Sequence, residues 1–138
     1  MHEYGLMEGV VARVLEEAGV RRATGVPRVH VEVGELAFAS RPALEAAFVS
    51  LSKGTILEGA ELVLSETRGR VRCDACGLSG GADVIDGSDP HDLLLPLCHV
   101  CGSPLIVLEG RGLTLKELTL TVPEASDGAE AREARSRS

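Results

Sequence analysis

The chain has 138 residues, with 14 Lys and Arg against 21 Asp and Glu, for a formal charge of −7. That scale fits one domain, or a small domain carrying a minimodule. The charge excludes a dedicated nucleic-acid binder, which needs clustered cations against phosphates. Tyr4, Phe38 and Phe48 are the only aromatic residues, too few for a base-stacking platform. Apolar runs such as residues 93–97 fall far short of the ~20 residues a membrane span requires. No basic stretch followed by an apolar one opens the chain, so the expectation is a cytoplasmic protein.

Met7, Val10, Val11, Val14, Leu15 and Ala18 recur at helical spacing, forming an apolar face that Gly19 can terminate. Residues 28–36 alternate instead, with Val29, Val31 and Val33 on one side and His30, Glu32 and Gly34 on the other, which predicts a strand. Ser40 can cap a second helix, with Pro42 in its first turn and Gly54 beyond its end. Leu44, Ala47, Phe48 and Leu51 form its buried stripe. A second strand begins near Glu61, turns Leu62 and Leu64 inward, and runs polar through residues 65–72. A third carries Leu113 and Leu115, then Leu118, Leu120 and Val122; the parity change at Lys116 and Glu117 predicts a bulge.

Between these last two strands the periodicity disappears. Residues 73–110 hold all four cysteines and three of the six prolines, and read as a separate small module. The expected class is α+β: a small three-stranded sheet with two helices, plus an inserted zinc-ribbon-like module. The expected partition is a discontinuous α/β domain of residues 1–70 and 111–123, with a zinc-binding domain of residues 71–110. The tail, residues 124–138, has hardly any large apolar side chain and is expected to be disordered.

Cys73, Cys76 and Gly77 form one C-x-x-C-G motif, and Cys98, Cys101 and Gly102 form a second. Two intervening residues let both thiolates of a pair reach one ion, and the glycine can adopt the positive φ of a knuckle. Two facing knuckles make a tetrahedral S4 site, which suits structural Zn(II) and leaves no open position for a substrate water. A module with so little core would draw its folding energy from the metal. His91 and His99 lie within it and read as exposed loop residues rather than ligands.

Met1, His2 and Glu3 compose a second candidate. A free terminal amine, the His2 amide nitrogen and its imidazole can form adjoining chelate rings, with the Glu3 amide or carboxylate as a fourth donor. A plane of nitrogen donors favours Ni(II) or Cu(II).

The opening Met1-His2-Glu3, then Val33-Gly34-Glu35-Leu36, Lys53-Gly54-Thr55 and Glu58-Gly59-Ala60-Glu61-Leu62 resemble HypA proteins. So do the two C-x-x-C-G knuckles with Ser103, the stretch Gly110-Arg111-Gly112-Leu113, and Leu115-Lys116-Glu117-Leu118. The matches run in order over about residues 1–122. The resemblance implies a nickel metallochaperone for maturation of the [NiFe] hydrogenase large subunit, working with the HypB GTPase. It implies nickel at Met1 (terminal amine), His2 and Glu3, and structural zinc at Cys73, Cys76, Cys98 and Cys101. Tyr4-Gly5-Leu6 departs from the family's usual small or polar residues, and nothing in the tail beyond Pro123 matches.

No other motif competes for chemistry. His30 and Glu32 share a strand face and Glu35 follows, a set that a solvated sheet surface explains. Gly34-Glu35-Leu36 reads as a turn at the strand end. No phosphate-binding loop or nucleophile elbow occurs, so any coupled GTP hydrolysis belongs to a partner and an enzyme is not expected. The alternative class is a zinc-ribbon interaction module with no transferable metal, docking on a basic partner surface.

Overall fold

The structure is a computed structural model that describes residues 2–86, 96–123 and 130–134. Two compact units emerge. One comprises Met1–Glu32, Ala39–Ser65 and Leu113–Ser138; the other comprises Val33–Phe38 and Glu66–Gly112. Among the described residues no helix is long and apolar enough to cross a membrane.

In the first unit, α1 (His2–Val20) buries Met7, Val10, Val11, Val14 and Ala18, the stripe its spacing predicts. Gly19 does not end it. Arg22 takes the left-handed conformation at φ 56°, with the Ala23 amide returning to the Ala18 carbonyl at 2.9 Å and the Arg22 amide to Gly19 at 3.1 Å. These closing bonds satisfy last-turn carbonyls and offset the roughly 1 kcal/mol that a side chain costs in that conformation. α2 (Arg41–Ser52) starts at Ser40, whose hydroxyl accepts from the Ala43 amide at 3.3 Å. It buries Leu44, Ala47 and Phe48, and α1 packs against it and against β8.

The sheet beside the helices has the order β2-β1-β8-β9, with β1 (Gly25–Gly34), β2 (Glu61–Thr67), β8 (Leu113–Thr121) and β9 (Glu130–Ala134). The three predicted strands are β2, β1 and β8. The first unit's core adds Val26, Val29, Val31, Leu57, Leu115, Leu118 and Leu120 to the helical residues. Burial does shift parity within β8, from Leu115 to Leu118, while the β8–β9 ladder keeps one register from Glu117 to Thr121. A fourth strand, residues 130–134, pairs antiparallel with β8 within the stretch expected to be a disordered tail. Ladder bonds between main chains need no apolar side chain, so a tail poor in hydrophobic residues can still complete an edge. The rest of the expected disordered tail lies outside the described residues.

In the second unit, β3 (Arg70–Arg72) is the centre of a sheet ordered β4-β3-β7, with β4 (Ser79–Gly80) and β7 (Ile106–Glu109) antiparallel to it. β5 (Ile85–Asp86) pairs with β6 (Leu97–Cys98). Val71, Cys73, Val84, Cys98 and Leu105 form its core, with Leu36, Leu78, Ile85 and Val107 against it. The polar continuation predicted through residue 72 is therefore split: β2 stops at Thr67 and β3 belongs to this unit.

Residues 33–38 group with this unit. The Gly34 amide donates to Gly112 at 2.8 Å and the Leu36 amide to Gly110 at 2.9 Å. Glu35–Ala37 forms a 3-10 turn, as the strand-end reading predicts, and the Glu35 carboxylate accepts from the Gly69 amide at 2.7 Å. A Cβ on Gly34 would overlap the Gly110 carbonyl, so glycine is required where these backbones cross. None of these tertiary bonds leaves a periodic trace in sequence.

Candidate metal centre

The two knuckles fold as near copies. The Gly77 amide donates to the Cys73 carbonyl at 2.9 Å and the Gly102 amide to the Cys98 carbonyl at 2.8 Å. The Cys73 amide donates to Leu78 at 2.7 Å, and that of Cys98 to Ser103 at 2.8 Å. Both glycines have positive φ, 83° and 78°, which closes each turn under its cysteine pair. Each motif thus buries its first cysteine and exposes its second.

All four Sγ atoms lie within 4.8 Å of one another. Cys73 Sγ and Cys101 Sγ are 3.5 Å apart, and Cys76 Sγ and Cys98 Sγ 3.8 Å. Zinc–sulfur bonds of ~2.3 Å in a tetrahedron give sulfur–sulfur edges of about 3.8 Å. The donor set therefore fits a tetrahedral thiolate-bound cation, formed across the motifs as well as within them.

Hydrogen bonds around the sulfurs are unequal. The Ser103 hydroxyl and amide both donate to Cys101, with a further contribution from Cys73, and lower its thiol to about 6. The Leu78 amide favours the Cys76 thiolate, but partial desolvation and hydrogen bonds shared with the other thiols push Cys76 up to about 12. Four adjacent sulfurs without a cation cannot all ionise, so the proton stays where donors are fewer. Ser103 hydrogen-bonds a candidate ligand in a way the C-x-x-C-G motif alone does not single out, although its place after the second knuckle mirrors Leu78.

His99 is exposed and is not among the grouped ligands. Its main-chain amide and Nδ1–H both donate to the Val84 carbonyl, at 3.1 and 3.0 Å. The side chain thus anchors the second knuckle to the module's core instead of facing the sulfurs. His91 lies outside the described residues. His30 is half-buried, with Nε2 at 2.9 Å from Ser65 Oγ on the neighbouring strand, a cross-strand pair rather than a solvated face.

At the other candidate, Met1 lies outside the described residues. His2 is exposed in the first turn of α1. The Glu3 carboxylate Oε2 accepts from the Ser40 amide at 3.0 Å, joining the start of α1 to the cap of α2.

The family described as "Hydrogenase/urease nickel incorporation, metallochaperone, hypA" matches residues 1–120. A hydrogenase maturation factor HypA of Archaeoglobus fulgidus is 42% identical over 122 residues, covering 88% of this chain and 100% of its own. That of Trichodesmium erythraeum is 35% identical over 119 residues, covering 86% of this chain and 94% of its own. The solution structure of the nickel metallochaperone HypA from Helicobacter pylori shares the fold, with a TM-score of 0.61, 20% identity, and coverage of 88% of this chain and 99% of that one. With its α+β architecture and four-cysteine cluster in place, and with these matches spanning nearly the whole length of the relatives, the chain belongs to the HypA family of nickel metallochaperones for hydrogenase maturation.

Proposed function

We propose that this chain carries Ni(II) at Met1, His2 and Glu3 and delivers it to the large subunit of a [NiFe] hydrogenase, in the cytoplasm and in concert with the HypB GTPase. Zn(II) at Cys73, Cys76, Cys98 and Cys101 would be structural: four thiolates close its coordination sphere and supply folding energy to a module with a small core. The family match carries the nickel reading, because it includes the residues that make the chelate. The protein then binds and hands over an ion and catalyses no bond change.

The chemistry of the first turn suits cargo. Amides at a helix N-terminus have no acceptor within the helix, so their nitrogens can deprotonate onto a metal without breaking a ladder bond. The positive end of the helix dipole works against long residence of a cation there. With the Glu3 carboxylate engaged on Ser40, the Glu3 amide is the better candidate for the fourth donor. Proton loss from nitrogen makes nickel binding weaken as pH falls.

Calorimetric titration of zinc-loaded protein with nickel tests this reading. The native chain, His2→Ala and a chain extended by two residues before Met1 are compared. One nickel site, lost in both variants with zinc retained, is expected. Unchanged binding in both variants would move nickel elsewhere. No binding by the native chain would leave the zinc-ribbon interaction module.

A further inference from the structure

The two knuckles bring four sulfurs to one point, yet their cysteines differ in access. Cys73 and Cys98 are 0% and 1% exposed, whereas Cys76 and Cys101 are open to solvent. The sulfur contacts at 3.5 Å, Cys73 with Cys101, and at 3.8 Å, Cys76 with Cys98, both run between the motifs. Each contact therefore joins an accessible sulfur to a buried one. That is the arrangement of an attacked thiol and its resolving partner.

A disulfide sets its sulfurs ~2.05 Å apart, so with no ion between them each pair has about 1.5–1.8 Å to close. The partners are 28 and 22 positions apart in the chain. Bridges of that span tie one knuckle to the other and restrict the unfolded module, as a shared ion also does.

We propose that the four-cysteine cluster is an oxidation site for peroxide, at which Cys101 bonds to Cys73 and Cys76 to Cys98, with loss of the zinc. The inference rests on the zinc reading of these residues. In each pair the exposed thiolate attacks peroxide: a sulfur–oxygen bond forms, the oxygen–oxygen bond breaks, and hydroxide leaves to be protonated to water. The buried partner's sulfur then attacks the sulfenic acid, forming the sulfur–sulfur bond and expelling the second oxygen as water. Each pair gives up two electrons and reduces one peroxide to two waters. Four thiolates on one zinc thus consume two peroxides and four protons, and yield two disulfides, four waters and the free ion. Thiol reductants reverse the bridges, so the site can be reloaded.

The full zinc-loaded chain, its one ion verified by metal analysis, is treated with two equivalents of hydrogen peroxide beside a chromophoric chelator. Release of the whole zinc content is expected. Tandem mass mapping should find the bridges Cys73–Cys101 and Cys76–Cys98. A sulfenic-acid trap added with the peroxide should label Cys76 and Cys101 and spare Cys73 and Cys98. Helical circular dichroism should persist, because neither α1 nor α2 contains a cysteine. Dithiothreitol with added zinc should restore the starting metal content. Bridges within a motif, or between two chains, overturn the crossed pairing. Sulfinic acids without bridges overturn the resolving role of Cys73 and Cys98. Zinc retained with four free thiols overturns the oxidation site. A chain that takes up no zinc at the outset overturns the zinc reading instead, and the same mapping on that metal-free chain then decides the pairing.

Discussion

The carboxylate of Glu3 accepts a hydrogen bond from the main-chain amide of Ser40 at 3.0 Å, and Ser40 in turn caps α2 through Ala43. One residue of the proposed nickel chelate therefore also ties together two helix starts. A carboxylate at this position satisfies an exposed donor next to the cap, which is a structural use independent of any ion.

Substitution separates the two uses. Glu3→Ala should cost about 1 kcal/mol of stability, the scale of one charge-assisted bond to an amide at an exposed site. Glu3→Gln keeps an oxygen acceptor and should recover most of it. If the Glu3 amide is the donor, both variants retain the nickel stoichiometry of the native chain. Denaturant titration and nickel calorimetry on the same samples check this. Nickel lost in Glu3→Gln at unchanged stability would assign the carboxylate to the ion.

Removal of a buried cysteine should collapse one unit and spare the other. Cys73 and Cys98 sit in the second unit's core beside Val71, Val84 and Leu105. Structural zinc in small modules contributes on the order of 10–16 kcal/mol of apparent binding energy, at least as much as the roughly 1.5–3 kcal/mol gained by burying each of five core side chains. Cys98→Ser should lose zinc and the amide-exchange protection of β3 and β7. The helical circular dichroism from α1 and α2 should persist, because their apolar stripes pack on each other and on β8. Zinc retained at the native ratio would show that three sulfurs suffice.

Those helical stripes, the first two strands and the cysteine knuckles were legible because each rests on a short-range rule. Met7 to Ala18 obey the helical period, Val29 and Val31 the strand period, and two residues between cysteines suit one ion. The departures depend on how a turn closes or on partners distant in sequence. Gly19 looked like a stop, yet Arg22 takes the left-handed position because bonds back to Ala18 and Gly19 close the turn. Residues 33–38 looked like the end of β1, but Glu35 and Leu36 reach Gly69 and Gly110 in the second unit. The tail looked too polar to order, and β9 is held by the main chain of β8. At the metal centre the four cysteines were legible, whereas the tethering of His99 to Val84 follows from a fold no local pattern encodes.

Proton release should give zinc binding at the proposed four-cysteine site a curved pH dependence. With Cys76 pushed up to about 12, its thiol must lose a proton to bind zinc throughout the neutral range. With Cys101 held at about 6, its sulfur is already a thiolate at pH 7 and releases none there. Below pH 6 it becomes protonated, so one more proton must then leave on binding. Zinc affinity should fall with decreasing pH, and the slope of log affinity should steepen by one as pH drops through about 6. Ser103→Ala removes the hydroxyl donor to Cys101, which raises that thiol and moves the break to higher pH. Competition with a chromophoric chelator across pH 5 to 8, a range of about three units around the shifted thiol, measures the slope. An unmoved break in Ser103→Ala would assign the lowered thiol to another cause.

Two glycines with the same handedness should respond differently to a methyl group. Gly110 and Gly112 both have positive φ, 88° and 68°. A Cβ on Gly112 meets nothing within 4 Å, whereas one on Gly110 would lie 2.6 Å from the Gly69 Cα, a main-chain atom that cannot rotate away. Gly112→Ala should cost only the left-handed penalty, about 1 kcal/mol. Gly110→Ala adds an overlap where the Gly69 and Gly110 backbones cross, and should cost about 3 kcal/mol or more. Amide exchange at Val71 and Val107, in the strands flanking that crossing, reads the stability of the second unit directly. Faster exchange in Gly110→Ala than in Gly112→Ala is expected, with zinc bound in both. Equal exchange in the two variants would mean that the crossing tolerates a side chain and that conformation alone selects glycine here.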